Sequence, residues 1–359
     1  MKVVQVVTQM EAGGAQRIAY LLHEAFRNRG YETELWFLYL KRPAYASKGG
    51  VRVLVDHRPS LLGYCWLAVK LFAWIRLSNP DVIITHTHYA NVLGQLLGAV
   101  AGVRCRVAVQ HNILATYPAL ARYADRLLGT GGIYTTQIAV SNSVVESMAA
   151  YPERYKRTVR TIYNGIVLEQ NERFRGQPLL NLPITSPKIL HVGRLSPQKN
   201  HQVLFQSLQR LPGACLVVVG DGELRGALEQ QAQALGLAGR VTFLGEIAPE
   251  EVRAIMHVCD LFMFPSVYEG MPIALIEAMA AGMPIVASDI PASRELLQDC
   301  GILLPADPQQ FARAAARLLE KKNEASALGE RAARRARQFT VDAMADAYES
   351  LFSSRTRPN

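Results

Sequence analysis

Short runs of β-branched and aliphatic residues alternate along this chain with longer stretches whose apolar positions recur at helical spacing, the pattern of βα units stacked into parallel sheets. In the first half the runs predict strands at Lys2 to Val7, Thr33 to Leu38, Val51 to Val55, Val82 to Thr85, Cys105 to Val109, Gln137 to Val140 and Val159 to Ile162. The pattern then begins again, with strands expected at Lys188 to Val192, Cys215 to Val219, Val241 to Leu244, Leu261 to Phe264, Pro284 to Ala287 and Ile302 to Leu303. Two sheets in succession imply two α/β domains. A length of 359 residues agrees, because a single hydrophobic core seldom keeps growing to that size.

Between the two series, residues 167–187 carry three prolines and mixed charge without a clear period, which makes them the expected linker. The predicted domains are then residues 1–166 and 188–338, with residues 339–359 forming a last helix in which Val341 to Phe352 is amphipathic. Half of the residues are hydrophobic and 19% are charged, which speaks against disorder, collagen and coiled coil. Residues 1–180 hold 21 Lys and Arg against 11 Asp and Glu, whereas residues 181–359 hold 18 against 19, so the positive excess sits in the first half. A basic half calls for an anionic neighbour, and nucleic acid, an acidic membrane surface and a phosphorylated substrate all qualify.

Five widely spaced cysteines, with no C-x-x-C pair, read as buried cytosolic thiols rather than a zinc or redox site. The opening MKVVQVV reads as a strand, since Gln5, Thr8, Gln9 and Glu11 interrupt it before a secretory core forms. Leu61 to Leu77 is rich in Leu, Trp and Phe, yet it contains Lys70 and Arg76 and falls short of a bilayer span, so no transmembrane helix is expected.

Three segments carry candidate chemistry. Gly13-Gly14-Ala15-Gln16-Arg17 follows the first strand and opens a helix, where free N–H groups attract phosphate and missing Cβ atoms admit a ligand; an ordinary βα turn reads the same way. It is neither G-x-G-x-x-G nor a Walker A loop, which argues against a dehydrogenase and an ATPase. In HVGRLSPQKNH, Gly193 ends a strand and Arg194 and Lys199 follow five residues apart, placing two cations where open α/β sheets bind ligands. Two solvated surface charges would look no different. In SVYEGMPIALIEAMAAGMPIVASD, Glu269 and Glu277 stand eight positions apart around Pro272, which suits the first turn of a helix ending near Gly282. Glu277 then lies roughly 7 to 8 Å along the helix axis from its start, comparable to the span from a donor sugar across a diphosphate to a ribose. A Glu inside so apolar a helix would be costly to bury unpaired, which favours a functional role.

Together these residues resemble retaining glycosyltransferase family 4. Its Glu-x7-Glu segment is matched by Glu269 and Glu277, its GGxxR opening by Gly13 to Arg17, and its VGR…K segment by Val192, Gly193, Arg194 and Lys199. Its GDG and YNG segments are matched by Gly220 to Gly222 and by Tyr163 to Gly165. The resemblance implies the GT-B architecture: two Rossmann-like domains with a cleft between them, the acceptor held by the first, the donor mainly by the second, and a C-terminal helix returning to the first.

It also implies roles. Arg194 and Lys199 would neutralise the diphosphate, Glu277 would hold the ribose, and Glu269 would sit against the donor sugar near the amides of Gly270, Met271 and Ile273. His111, in VQHN, matches a histidine that many relatives place near that sugar. His86 and His88 lack a third ligand at metal spacing, so no metal is assigned, and no cofactor beyond the nucleotide-diphosphate sugar as co-substrate. The expected activity is retaining hexosyl transfer, with a UDP-sugar first and a GDP-sugar second, to a glycan or lipid-linked acceptor in polysaccharide, lipopolysaccharide or glycolipid biosynthesis. A GT-B sugar-nucleotide epimerase and a basic nucleic-acid-binding protein are the competing readings; no basic helix or RNP-like segment favours nucleic acid, so none is expected as a partner. A cytoplasmic chain is expected. Arg154, Lys156, Arg157 and Arg160, with the apolar 61–77 segment, suggest a peripheral position on the anionic inner face of the plasma membrane.

Overall fold

The computed structural model describes residues 1–168 and 186–353, so almost all of the expected 167–187 linker lies outside the described residues. The chain divides into two compact units, Met1–Gly165 with Thr340–Asn359, and Ile166–Phe339.

In the first unit, strands β1 (Lys2–Met10), β2 (Glu32–Leu40), β3 (Val51–Val55), β4 (Val82–His86), β5 (Cys105–Gln110), β6 (Thr136–Ala139) and β7 (Val159–Thr161) form one sheet in the order β3-β2-β1-β4-β5-β6-β7. Every pairing is parallel. The helices are α1 (Gly14–Asn28), α2 (Leu61–Ser78), α3 (His88–Val100), α4 (Ala119–Thr130), α5 (Asn142–Glu146) and α6 (Glu153–Lys156). Alternation along β1 explains why both faces are covered: Val4 and Val6 pack with Leu67, Leu71 and Ile75 of α2, whereas Val7 packs with Ala19 of α1. α3 packs against both α2 and α4, so these three helices make one continuous layer.

In the second unit, α7 to α13 are His201–Gln209, Arg225–Ala234, Pro249–Val258, Ile273–Ala280, Pro291–Leu297, Pro308–Glu320 and Lys322–Ala336. Strands β8 (Lys188–Val192), β9 (Cys215–Val219), β10 (Val241–Gly245), β11 (Leu261–Phe264), β12 (Ile285–Ser288) and β13 (Ile302–Leu304) pair in parallel in the order β10-β9-β8-β11-β12-β13. α14 (Val341–Ser353) belongs to the first unit, where Phe352 lies 5.5 Å from the ring of Phe26 and Arg29 donates to Asp346 at 2.6 Å and Glu349 at 2.9 Å. Gly165 is where the chain passes its own return: a Cβ there would stand 2.3 Å from the carbonyl oxygen of Thr340.

Several predicted elements are displaced at their ends, and two of these differences bear on the fold. β1 runs on through Thr8 and Gln9 to Met10, because β2 continues beside it and pairs Gln9 with Tyr39 and Met10 with Leu40. α2 is an 18-residue helix of mean hydropathy 1.3, long and apolar enough by length and composition to cross a bilayer, where the sequence stretch was expected to fall short. Its Leu67, Leu71 and Ile75 are nonetheless in the core of the first unit.

Both sheets reverse their winding beside their first strand, between β1 and β4 in one unit and between β8 and β11 in the other. The crevice outside the carboxyl ends of such a strand pair is where open α/β sheets place ligands. This strand order decides which candidate residues meet.

Candidate functional site

At the carboxyl edge of β8 the chain runs through Gly193 and Arg194 into a short 3-10 turn, Pro197–Lys199, and Asn200 in the left-handed region (φ 51°) then starts α7. Beside it, Gly220 to Gly222 follow β9. Gly193 N donates to Val219 O at 3.0 Å and Leu195 N to Asp221 O at 3.1 Å, so the two loops are joined backbone to backbone. A Cβ at Gly220 would lie 2.1 Å from Gly193 O, and one at Gly222 2.4 Å from Leu195 O. The glycines are therefore needed for this close approach.

β11 is the other strand of the switch point, and the loop after it carries Glu269. Lys199 Nζ pairs with Glu269 Oε1 at 2.5 Å, with only 12% and 8% of the two side chains exposed. The ammonium also sits 5.0 Å over the ring of Phe264. Gln198 fastens the same two loops: its Nε2 donates to Tyr268 O at 2.8 Å, and its carbonyl accepts from Val267 N at 2.9 Å. Arg194 is half exposed, its Nε 3.4 Å from Glu223 Oε2.

α10 begins at Ile273, after Pro272 and without a side-chain cap, so its first amides are held by no capping side chain. Glu269, Gly270, Met271, Ile273 and Glu277 are all buried. At its other end α10 rests on α13, where a Cβ on Gly329 would come within 2.0 Å of Gly282 O. Beneath the Lys199 loop, His191 Nδ1 donates to Met263 O at 3.0 Å, and the ring meets that of His201 edge-on at 5.0 Å. Burial, with the nearby Lys199 charge, lowers the pKa of His201 to about 4, and burial holds His191 well below its usual value.

In the first unit, Gly13 and Gly14 follow β1 and open α1, whose first turn has no acidic residue. Gly13 has ordinary extended backbone (φ −157°), and a Cβ there would meet only the flexible end of Gln16. His86 ends β4 and is fully buried. Its Nδ1 lies 2.9 Å from His111 Nε2, and its Nε2 lies 2.9 Å from Gln5 Oε1. With Gln5 presenting an oxygen, His86 donates from Nε2, His111 donates to His86 Nδ1, and Nδ1 of His111 is left as an acceptor. Burial lowers the pKa of His111 to about 3, so this acceptor is neutral. His88 lies beside the tilted rings of Tyr89 and Tyr117, with ring centroids 4.3 and 5.1 Å away. Among the described residues no group of three or more His, Cys, Asp or Glu is placed to hold a metal ion.

Sequence reasoning passed over three residues. Gln5 and Gln198 orient the others, and a polar residue inside the apolar run KVVQVV was the available signal for Gln5. Thr87 has φ 73° and ψ 152°, a region nearly closed to β-branched residues. Its hydroxyl is held 2.6 Å from that of Thr8, which in turn accepts from Ala90 N at 3.2 Å in the first turn of α3. No sequence pattern marks such a position.

The profile of Glycosyltransferase Family 4 matches residues 12–170, and that of Glycosyl transferases group 1 matches residues 177–335. The chain is 26% identical to the lipopolysaccharide core biosynthesis glycosyltransferase LpsE of Rhizobium meliloti, over 96% of each chain. It is 31% identical to the uncharacterized glycosyltransferase MJ1607 of Methanocaldococcus jannaschii, over 77% of each. Among solved structures it is similar to Anabaena HepE in complex with UDP and glucose, with a TM-score of 0.87 at 23% identity, covering 99% of this chain and 100% of the other. The two parallel α/β units are thus those of the GT-B fold.

Proposed function

This chain belongs to the group 1, family 4 glycosyl transferases, and from that premise we propose that it moves a hexose from a nucleotide-diphosphate sugar to an acceptor hydroxyl with retention of configuration. UDP is the first choice of nucleotide and GDP the second; HepE, with the same fold, was crystallised with UDP and glucose. The acceptor we propose is a glycan or lipid-linked sugar at the cytoplasmic face of a membrane, in keeping with the lipopolysaccharide role in the name of LpsE.

The observation that carries the donor assignment is the buried Lys199–Glu269 pair, set at the switch point of the second sheet on a loop that only glycine neighbours allow. Breaking the sugar–phosphate bond leaves the bonding electrons on a diphosphate oxygen, and positive charge develops on the sugar ring. Arg194, Lys199 and the first amides of α10 are the groups suited to stabilise that diphosphate. Glu269 holds Lys199 in place and faces the sugar, Glu277 takes the ribose hydroxyls, and His111 offers a neutral acceptor to a sugar hydroxyl. With retention, the acceptor oxygen arrives on the face from which the diphosphate leaves, so a diphosphate oxygen can take its proton. No metal ion enters the proposed reaction.

Calorimetric titration of UDP, GDP and ADP, each with and without EDTA, tests this reading. One nucleoside diphosphate is expected to bind equally in both conditions, and Arg194→Ala is expected to weaken it by about tenfold to a hundredfold, the worth of a charged hydrogen bond. Equal affinity in Arg194→Ala and Glu277→Gln would remove the assignment, and loss of binding in EDTA would restore a metal.

A further inference from the structure

Large apolar side chains that remain exposed gather on one layer of the first unit, the α2–α3–α4 face. On α2 these are Leu61, Leu62, Trp66, Val69 and Leu77, with Leu61 88% and Trp66 59% exposed. α4 adds Leu120 and Leu127. α2 is apolar on most of its faces; Leu67, Leu71 and Ile75 are buried in the core and Tyr64 and Trp74 pack partly against it, while the residues named above stay outside. A helix of that kind normally lies in a core or a membrane, and a soluble protein rarely leaves so continuous an apolar patch open.

The charges around this patch are mainly positive. α2 and α3 contain no Asp or Glu, and the single acid of α4, Asp125, is 1% exposed, where it accepts from Gln110 and Tyr155. Arg76 and Arg126 are exposed on the same helices, and Arg154 and Arg157 lie on and just after α6, which packs against α4. The acid of α6, Glu153, is paired with Lys156 at 2.5 Å and so adds no net charge to this rim. Lys70 turns its ammonium back to the sheet, donating to Leu54 O at 2.6 Å and lying 5.1 Å over the ring of Trp66. Its charge is thus held between the main chain of β3 and the face of Trp66. A protein partner would ordinarily bring a mixed polar rim. An apolar centre, an aromatic at its border and a net cationic surround match an anionic lipid surface.

We propose that the α2–α3–α4 face docks on an anionic bilayer, with α2 lying in the interface and Trp66 at headgroup depth. Because Leu67, Leu71 and Ile75 remain committed to the sheet, α2 lies on the membrane and does not span it. The inference rests on the lipid-linked acceptor proposed above for its purpose, and Tyr64 of α2, 6.3 Å from Tyr89, connects the two: the start of α2 stands at the sheet edge that carries His88.

The test is co-sedimentation of the full chain with vesicles of phosphatidylcholine alone or mixed with phosphatidylglycerol, at low and high salt. The chain is expected to pellet with the mixed vesicles at low salt, to be released at high salt, and to remain in solution with phosphatidylcholine alone. Leu62→Glu/Trp66→Glu/Val69→Glu is expected to lower partitioning at least about tenfold, while its thermal stabilisation by a nucleoside diphosphate stays as in the parent chain. That second readout separates failure of docking from failure of the donor assignment. Trp66→Phe, which keeps the surface apolar, should still pellet but lose the blue shift of tryptophan emission that vesicles cause in the parent. A parent chain that stays in solution with anionic vesicles, binds neutral ones equally or gives no blue shift overturns the proposal. So does a parent dimer that the triple variant converts to monomer, since a second copy would then be what covers the face.

Discussion

Gly220 has φ +126°, and its missing side chain leaves the carbonyl of Gly193 room that a Cβ would occupy at 2.1 Å. Both features act against any other residue, one through backbone strain and one through collision with main chain that cannot rotate away. Gly220→Ala is expected to destabilise the protein by about 2 kcal/mol or more, read from urea denaturation. Gly226, in the first turn of α8, has open space where a Cβ would stand, with no atom within 4 Å, and no left-handed φ. Gly226→Ala should therefore leave stability unchanged or raise it by up to ~1 kcal/mol. Equal losses in the two variants would show that the close loop packing around Gly193 is not what Gly220 provides. The same reasoning separates Gly13, whose backbone is ordinary, from Gly220: if Gly13 is required, the requirement comes from a ligand.

At the scale of elements, α14 is held to α1 by two kinds of contact of unequal worth. Phe352 is 1% exposed and touches the rings of Phe26 and Tyr31, whereas Arg29 meets Asp346 and Glu349 near the surface. Phe352→Ala should cost about 3 to 5 kcal/mol through the cavity it leaves. Arg29→Ala should cost about 1 kcal/mol or less, since surface ion pairs contribute little. Urea midpoints of the two variants check the ranking, and the reverse order would mean that charge rather than ring packing docks the helix. α10 obeys a different rule, being seated on α13 by backbone contact at Gly282 and Gly329, which keeps the helix bearing Glu277 from shifting.

For the molecule as a whole, the buried histidines set a common response to acid. His23, His86, His111, His191 and His201 all have pKa values lowered by burial, with about 3 for His111 and about 4 for His201. As pH falls below the unfolded value of about 6.5, the unfolded chain takes up protons that the folded chain refuses, so stability falls. The loss begins near pH 6.5 and continues through the folded values, and it involves both units because both hold such residues. Melting temperature measured from pH 8 to 4 should drop steadily below about pH 6.5. His201→Gln and His86→Gln should each flatten part of that slope, and a profile unchanged in both variants would place the acid sensitivity elsewhere.

Much of this could be read along the chain, as four strands lie where their apolar runs predict, Val51–Val55, Lys188–Val192, Cys215–Val219 and Leu261–Phe264. Alternation and turn residues are local, and they act on each segment whatever its neighbours do. The candidate glycines, cations and glutamates were equally legible, because their spacing is a property of the order of residues. Their meeting was not. Lys199 reaches Glu269 because β8 and β11 are neighbours at a switch point, although the two residues stand far apart in the chain. His86 supports His111 because β4 pairs with β5, and Thr87 keeps an unfavourable backbone because Thr8 on β1 holds its hydroxyl. Helical spacing likewise marked α2 as apolar, while the packing of the sheet determined which stripe it buries and which it leaves to the outside. Contacts between distant segments depend on strand order, and strand order is settled by the packing of the whole sheet, which no single segment encodes.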